Sequence, residues 1–577
     1  MGKTLKKLKR KAKNDQDHSP AIPEKTCFLR ELLSIPDDQV LNRIMDQDNP
    51  TDLVQQIARE DFYLLIKRVG EDDCLPLLKI ASDTQRQYLL DLEIWNKDLP
   101  DLEKASVWLK RLYMADQERL SRWFFSEGEA FIYYYLFKNI KVEARYGDID
   151  PDLAASFFSI DGVFYLSITD DSLRQTIEEI LRAMASVDFE RYQYLMSTLA
   201  GVIPAEMEED MYRMRNVRLA EHGFLPPEEA IVVFSPLKPE ALIDDSASQK
   251  TVYPHDEGLR EIIPVFPYNY ASSENILTKA FLDLDDDLFK DRFSIEFAGL
   301  CNQILSAEGF QANDLDILIG VCKKAGAHLN LALERLCTGD VFLAKKYLMN
   351  RSLVSIFRVG FGLALGLRWE TERWYKKSWF HDQGLGLGFW GDQWAGILSG
   401  ILMIKPLLYA CLEGKEEYRS FEHLSEIDQC RRIIDGIKAL DRLLWRLTGL
   451  YPLKRGLKDQ TGLTFHQLLF NLWARRLLNL EPNLAGLSSE QIKELFLHLR
   501  AGEDSPPHSM TGFEKIFITD MMSYASGFDP MTLERLTEAL SLVWKEFSAE
   551  YEWVPSQDLD TRFTKFITIE QDVKDMH

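Results

Sequence analysis

The sequence predicts a mainly α protein: a short N-terminal helical-repeat module, then a larger all-α domain, with at most a small β-hairpin in the middle. Three observations carry that expectation. Similar segments recur near the N-terminus, their isoleucines at Ile35, Ile57 and Ile80, 22 and 23 residues apart. Apolar residues keep a three-to-four spacing over most of residues 273–553, the period of one helix face. Only one run, Gly162-Val-Phe-Tyr-Leu-Ser-Ile168, is β-branched and aromatic in the manner of a strand.

The repeat spans about Leu32 to Leu92. After each isoleucine comes a polar, acid-containing turn and then a second apolar group, as in Ile57-Ala-Arg-Glu-Asp-Phe-Tyr-Leu-Leu65. This is the pattern of two short helices, the second capped by hydroxyl or acidic side chains. A unit so short cannot bury its apolar face alone, so copies must stack.

In chain order, residues 1–25 form an expected basic, disordered tail. Lys3, Lys6, Lys7, Lys9, Arg10, Lys11 and Lys13 carry seven positive charges with no acid among them. Such a tail is solvated by default, and its possible partner is weakly bound and anionic: RNA, a membrane surface or an acidic protein. The helical-repeat module is placed at 26–138, with helical patterns continuing through Leu102–Leu112 and Leu120–Leu136. A mixed, mostly helical region follows at 139–234. Its helices are expected at Leu173–Ala185 and Phe189–Leu199, and Pro226-Pro227 starts a further short one. Residues 235–272 hold Pro236, Pro239, Pro254, Pro264 and Pro267 and read as a connector. The C-terminal helical domain spans 273–553. Capping boxes are expected at Ser425–Asp428 and Ser488–Gln491, and an amphipathic core helix runs through Ile427, Cys430, Ile434, Ile437, Leu444 and Leu447. Residues 554–577 read as an irregular tail.

Composition narrows the function class. With 577 residues, 46% hydrophobic and 11% aromatic, the chain has the makeup of a folded multi-domain protein. A net charge of −23 argues against a general nucleic-acid binder. The seven cysteines are dispersed without a CxxC pair, which fits reduced thiols. The longest apolar candidate, Ala395–Leu412, is interrupted by Lys405-Pro406, and the basic start leads into no apolar stretch. No transmembrane segment and no secretory signal are expected, and the location read from this is cytoplasmic.

The richest local chemistry lies between Trp369 and Trp394. Five of the twelve tryptophans fall there, with glycines at 384, 386, 388 and 391. Trp369, Glu370, Arg373, Trp374, His381, Asp382, Asp392 and Trp394 are the candidate ligand-binding residues. Glycines let backbone amides approach a ligand, and His381 beside Asp382 suits acid–base work. The competing structural reading, which is favoured, has the glycines permit close helix crossing and the tryptophans fill irregular space. The run Asp283–Asp287 fails as a calcium loop, with Leu288 for the turn glycine and Ser294 for the bidentate glutamate. Isolated histidines give no zinc site, and His328 reads as a core residue. No GxSxG elbow or dinucleotide fingerprint is present, so no metal, no cofactor and no catalytic residue is assigned, and catalysis is left undecided.

Several strings together resemble a known family: Glu60-Asp-Phe-Tyr-Leu-Leu-Ile-Lys67 running into Val69-Gly-Glu-Asp72, Leu89-Leu-Asp-Leu92 with Trp95, Arg218-Leu-Ala220 with Gly223-Phe224, and Glu229-Ala230. The chain resembles a family of large bacterial proteins designated domain of unknown function 6178, over most of its length between the tails. That resemblance implies no activity, so it transfers no catalytic residue. By rhythm alone the repeat is also similar to the cytoplasmic helical domain of magnesium transporters and to flagellar-switch armadillo-type modules. The preferred function is a cytoplasmic helical scaffold or regulatory protein-interaction protein with an unidentified protein partner. The alternative is an enzyme or small-ligand binder with a pocket near 369–394.

Overall fold

The computed structural model describes residues 22–144, 157–200, 207–243, 263–271, 273–284, 286–309, 314–410, 417–453, 462–500, 507–508, 510, 512–554 and 564–569. The fold is mainly α. Backbone packing separates two compact units, each discontinuous in sequence. The first draws on 1–235, 240–329 and 339–358, the second on 236–239, 330–338 and 359–577. Residues 1–21, with the basic run 1–13, lie outside the described residues.

The first unit opens with short helices Ile22–Ser34, Asp37–Met45, Pro50–Gln55, Arg59–Val69, Leu75–Ile80 and Asp83–Glu93. They stack alternately: Asp37–Met45 on Arg59–Val69, and that helix on Asp83–Glu93. In the second row, Pro50–Gln55 packs on Leu75–Ile80, which packs on Leu102–Ala115. Helices of six to thirteen residues are marginal alone, and side-chain caps tie their ends together. The carbonyl of Ile35 accepts from Arg68 (3.0 Å), that of Ile57 from Gln85 (2.8 Å), and that of Ile80 from Gln55 (3.0 Å). Gln85 also closes a capping box with Ser82.

The helical stretch expected over Leu120–Leu136 is two helices, Gln117–Phe124 and Glu129–Asn139. The break falls at Gly128, where a Cβ would sit 2.6 Å from the Trp123 ring. The strand expected at Gly162–Ile168 is Phe164–Ile168, which forms the expected hairpin with Phe158–Ser159 and is also the centre of a three-stranded antiparallel sheet. Ile140–Ala144 flanks it on one side and Phe158–Ser159 on the other. Only Phe164, Leu166 and Ile168 are buried along that strand, a period-two face against the helices. Two-residue ladders pair Trp95–Asn96 with Leu99–Pro100 and Leu408–Tyr409 with Tyr418–Arg419. Within residues 235–272, Phe266–Ala271 is helical and packs on Arg59–Val69 and Asp287–Glu308.

The core of the second unit is built on helices Leu424–Leu450, Phe465–Leu477, Ser489–Leu499, Phe513–Ser523 and Pro530–Tyr551. Leu424–Leu450 buries Ile427, Cys430, Ile434, Ile437, Leu444 and Leu447, the stripe expected from spacing. Its N-terminal cap lies earlier than Ser425–Asp428: Glu426 reaches back to accept from the His423 backbone N–H at 3.0 Å and from Glu422 at 2.8 Å. The Ser488–Gln491 capping box forms where expected. Residues 564–569, expected in an irregular tail, are irregular but docked. Leu487 donates to the Thr568 carbonyl (2.9 Å), Thr568 donates to Asn471 (3.0 Å), and Phe566 and Ile567 are buried. Among the described residues no helix is long and apolar enough to cross a membrane.

Candidate functional site

The Trp-Gly segment lies in the second unit, where the C-terminal part of helix Leu353–Tyr375 runs into a short turn, Trp379–Asp382. That turn is pinned from below. Asp441, buried on helix Leu424–Leu450, accepts from the backbone N–H groups of Trp379 and Phe380, both at 3.1 Å. Burial raises the Asp441 pKa even though these amides favour the carboxylate. Trp379, Phe380, Phe389, Trp390 and Trp394 are buried in the core, with Trp394 stacked on Phe465 at 5.2 Å between centroids.

The eight candidate residues therefore do not converge. Trp374 is half-buried against Phe380 and Trp390, while Trp369 is 47% exposed. Glu370 faces Arg431 at 3.4 Å, and Arg373 donates to the Trp369 carbonyl at 3.2 Å. His381 and Asp382 are exposed, the imidazole resting edge-on against Tyr375. Asp392 is exposed and 3.8 Å from Lys565. The glycines at 384, 386 and 388 have open space where a Cβ would be, and Gly384 and Gly391 adopt positive φ. Close approach instead involves Gly396 and Gly400 on the next helix. Their Cβ atoms would lie 2.6 Å from the Tyr409 ring and 2.6 Å from the Leu407 carbonyl oxygen.

A denser polar cluster, which sequence reasoning missed, lies in the first unit. Helix Arg59–Val69 presents Glu60, whose Oε1 lies 2.6 Å from Nδ1 of His222. Arg59 lies 2.7 Å from Nε2 of that ring, and since a guanidinium only donates, Nε2 accepts and Nδ1–H donates to Glu60. Asn302 fixes the same residue by donating to the His222 carbonyl at 2.7 Å. Beside it, Lys67 bridges Glu71 (2.7 Å) and Glu93 (2.6 Å), and the Tyr63 hydroxyl donates to Glu93 at 2.5 Å. Burial resists the Glu71 charge, but Lys67 and Arg111 outweigh it and lower its pKa. Arg218 grips Asp91 with two hydrogen bonds, of 2.7 and 2.6 Å. Burial works against the Arg218 charge, and the carboxylate more than offsets it. Asp61 accepts from the Val265 and Phe266 amides at 2.7 and 2.8 Å.

The cavity bounded by Glu60, Tyr63, Tyr88, Cys301, Asn302 and Cys322 has a volume of about 30 Å³, room for one or two waters. Burial and the adjacent Cys322 thiol push Cys301 well above its ordinary pKa, so it is no thiolate nucleophile at neutral pH. Burial raises Tyr63 and Tyr88 well above the usual phenol value. Among the described residues no group of three or more His, Cys, Asp or Glu side chains is placed to hold a metal ion. His328 is a core residue, buried edge-on against Phe357, and burial drops its pKa to about 3.

An open groove occurs in the second unit, where helices Leu424–Leu450 and Phe513–Ser523 end. It has a volume of about 510 Å³ and is lined by Trp445, Arg446, Gly449, Leu450, Tyr524 and the serines at 523 and 526. Trp445 is 61% exposed and Leu450 58%. The sequence signal is a tryptophan one position off the apolar stripe at Leu444, and only the packing shows that no other element covers it.

The strings Glu60–Asp72, Leu89–Trp95 and Arg218–Phe224 meet in space, through the Glu60–His222 and Asp91–Arg218 pairs. No curated protein sequence and no solved structure gives a significant match to the chain. The model of one family, described as a family of unknown function (DUF6178), matches residues 24–570. Because that match takes in nearly the whole sequence, the chain belongs to the DUF6178 family.

Proposed function

We propose that this chain is a helical protein-interaction protein, of scaffold or regulatory type, acting in the cytoplasm and engaging its partner through the Trp445 groove. One observation supports this reading above others: Trp445 and Leu450 stand exposed over a concavity of about 510 Å³. Aromatic and arginine side chains around a pocket are what interface hot spots are made of, and exposed apolar surface of this kind marks interaction sites. The enzyme or small-ligand reading around 369–394 gains no comparable support, since His381 and Asp382 face outward and the tryptophans nearest them are packing.

The test compares tagged full-length wild type with Trp445→Ala, each purified at native salt from cells that make the protein. The expected result is a reproducible co-purifying protein with wild type, depleted with the variant, at matched melting temperatures. Recovery of no reproducible partner overturns the interaction reading. A partner retained equally by Trp445→Ala removes the groove from it.

A further inference from the structure

We propose that Cys301 and Cys322 are a redox couple, a pair of thiols that hydrogen peroxide converts to a disulfide inside the first unit. The two residues lie on the consecutive helices Asp287–Glu308 and Leu315–Cys337. Lys324, on the second helix, meets Glu308 at the end of the first at 2.7 Å. Between the same two helices the Cys301 thiol shares a hydrogen bond with that of Cys322. Each cysteine is only 4% exposed, so bulky reagents are kept from both. A small oxidant is not. Both residues border the cavity of about 30 Å³ whose walls include Glu60, Tyr63, Tyr88 and Asn302. That space holds one or two waters, and hydrogen peroxide is larger than water by a single oxygen.

Contact and burial together set what this pair does. A disulfide needs its sulfurs about 2.05 Å apart. Two thiols already in contact have a short approach to make, and the adjoining cavity gives them room for it. One sulfur attacks a peroxide oxygen, the O–O bond breaks, and the S–H proton leaves with the released hydroxide as water. A sulfenic acid remains. The second sulfur then attacks the sulfenic sulfur: the S–S bond forms, the S–O bond breaks, and the second thiol proton leaves with that hydroxyl as water. Two thiols and one peroxide thus give one disulfide and two waters, with two electrons passing from sulfur to oxygen. Burial raises the Cys301 thiol well above its ordinary pKa, which slows the first step. It slows reduction as well, because a thiol of high pKa is a poor leaving group from its disulfide. The couple is therefore slow to oxidise and persistent once oxidised. Asn302, next to Cys301, donates to the His222 carbonyl at 2.7 Å, so the bridge forms on the helical turn that holds the Glu60–His222 pair.

Two other buried thiols supply the comparison. Cys74 donates to the Glu71 carbonyl at 3.1 Å, and Cys430 lies in the apolar core of the second unit. Burial pushes both up to about 12. The experiment takes the folded full-length chain with its accessible thiols, such as Cys27, first capped by N-ethylmaleimide. Hydrogen peroxide is added at a dose that leaves the far-ultraviolet circular dichroism unchanged. The chain is then denatured in iodoacetamide, cut after Lys, Arg and Glu, and read by mass spectrometry. The expected product is segment Phe297–Glu308 linked to segment Gly309–Lys323, parted again by dithiothreitol. Its share should exceed the oxidised share of Cys74 or Cys430 at least about tenfold, since a thiol held in contact acts at high effective concentration. Cys301 and Cys322 recovered alkylated to the same extent as Cys74 and Cys430 overturn the proposal. So does either of the pair carried on to sulfinic acid while the other stays a thiol, because the contact then fails to resolve the intermediate. Either one joined instead to a different cysteine overturns it too.

Discussion

Lys67 shows what single side chains contribute here. The Lys67 and Glu93 side chains are both about 4% exposed, their charged groups 2.6 Å apart, and the Tyr63 hydroxyl also donates to the carboxylate. An ion pair taken out of water contributes little net stability, because desolvation offsets the attraction, but removing one partner strands the other. Replacing Lys67 by Met should therefore cost about 3–5 kcal/mol, read as a fall in the urea midpoint. Adding Glu93→Leu to Lys67→Met should recover most of that loss. A double variant no more stable than the single one would show that packing around Lys67, rather than the stranded charge, sets the cost. Neither partner was singled out from the sequence. Lys67 reads as one charge on a helix, and Glu93 lies on a different helix whose docking brings it within reach.

At the level of elements, the glycines separate two physical roles that the sequence displays identically. Gly400 faces the Leu407 carbonyl so closely that an added Cβ would lie 2.6 Å from it, whereas the space at Gly366 is open. Both lie inside helices. Gly400→Ala should destabilise the second unit by about 1–3 kcal/mol through overpacking. Gly366→Ala should stabilise it by about 0.5–1 kcal/mol, through helix propensity and a less flexible unfolded chain. Thermal melts of the two variants check the pair, and shifts of the same sign would contradict the geometry. The same lesson applies to the helices. Leu424–Leu450 and the Ser488–Gln491 box were legible because periodicity and capping are local properties. The start of Leu424–Leu450 was misplaced because Glu426 caps toward His423, and the choice between Ser425 and His423 depends on Glu334. That side chain, remote in sequence, accepts from the Leu424 amide at 2.8 Å and meets His423 at 2.7 Å.

Across the molecule, the second unit hangs on an aromatic hub. Phe470 packs 4.3 Å from Phe547 and 4.8 Å from Phe517 between centroids, and Trp473 meets Trp544 edge-on at 5.3 Å. Phe470→Ala should cost about 3–5 kcal/mol, since close-packed neighbours relax only partly into the space, and the near-ultraviolet circular dichroism of the buried aromatics should fall with it. An unchanged spectrum and midpoint would place the core elsewhere. The groove lies at the opposite extreme: Trp445 and Leu450 are exposed, so truncating either should spare stability and act on binding alone.

The sequence by itself determined the mainly α class, the positions of several helices, and the family to which the chain belongs. Each depends on periods, caps and strings that residues close along the chain set together. The tertiary structure alone decided which polar groups meet. It put Trp379, Trp390 and Trp394 in the core and left Trp369, His381 and Asp382 exposed, and it joined Glu60 to His222 and Asp91 to Arg218 across more than a hundred residues. It also left Trp445 bare beside the buried stripe of its helix. The physical reason is the same in each case. A side chain's burial and partners are fixed by which helices pack against it, and those contacts are not local in sequence.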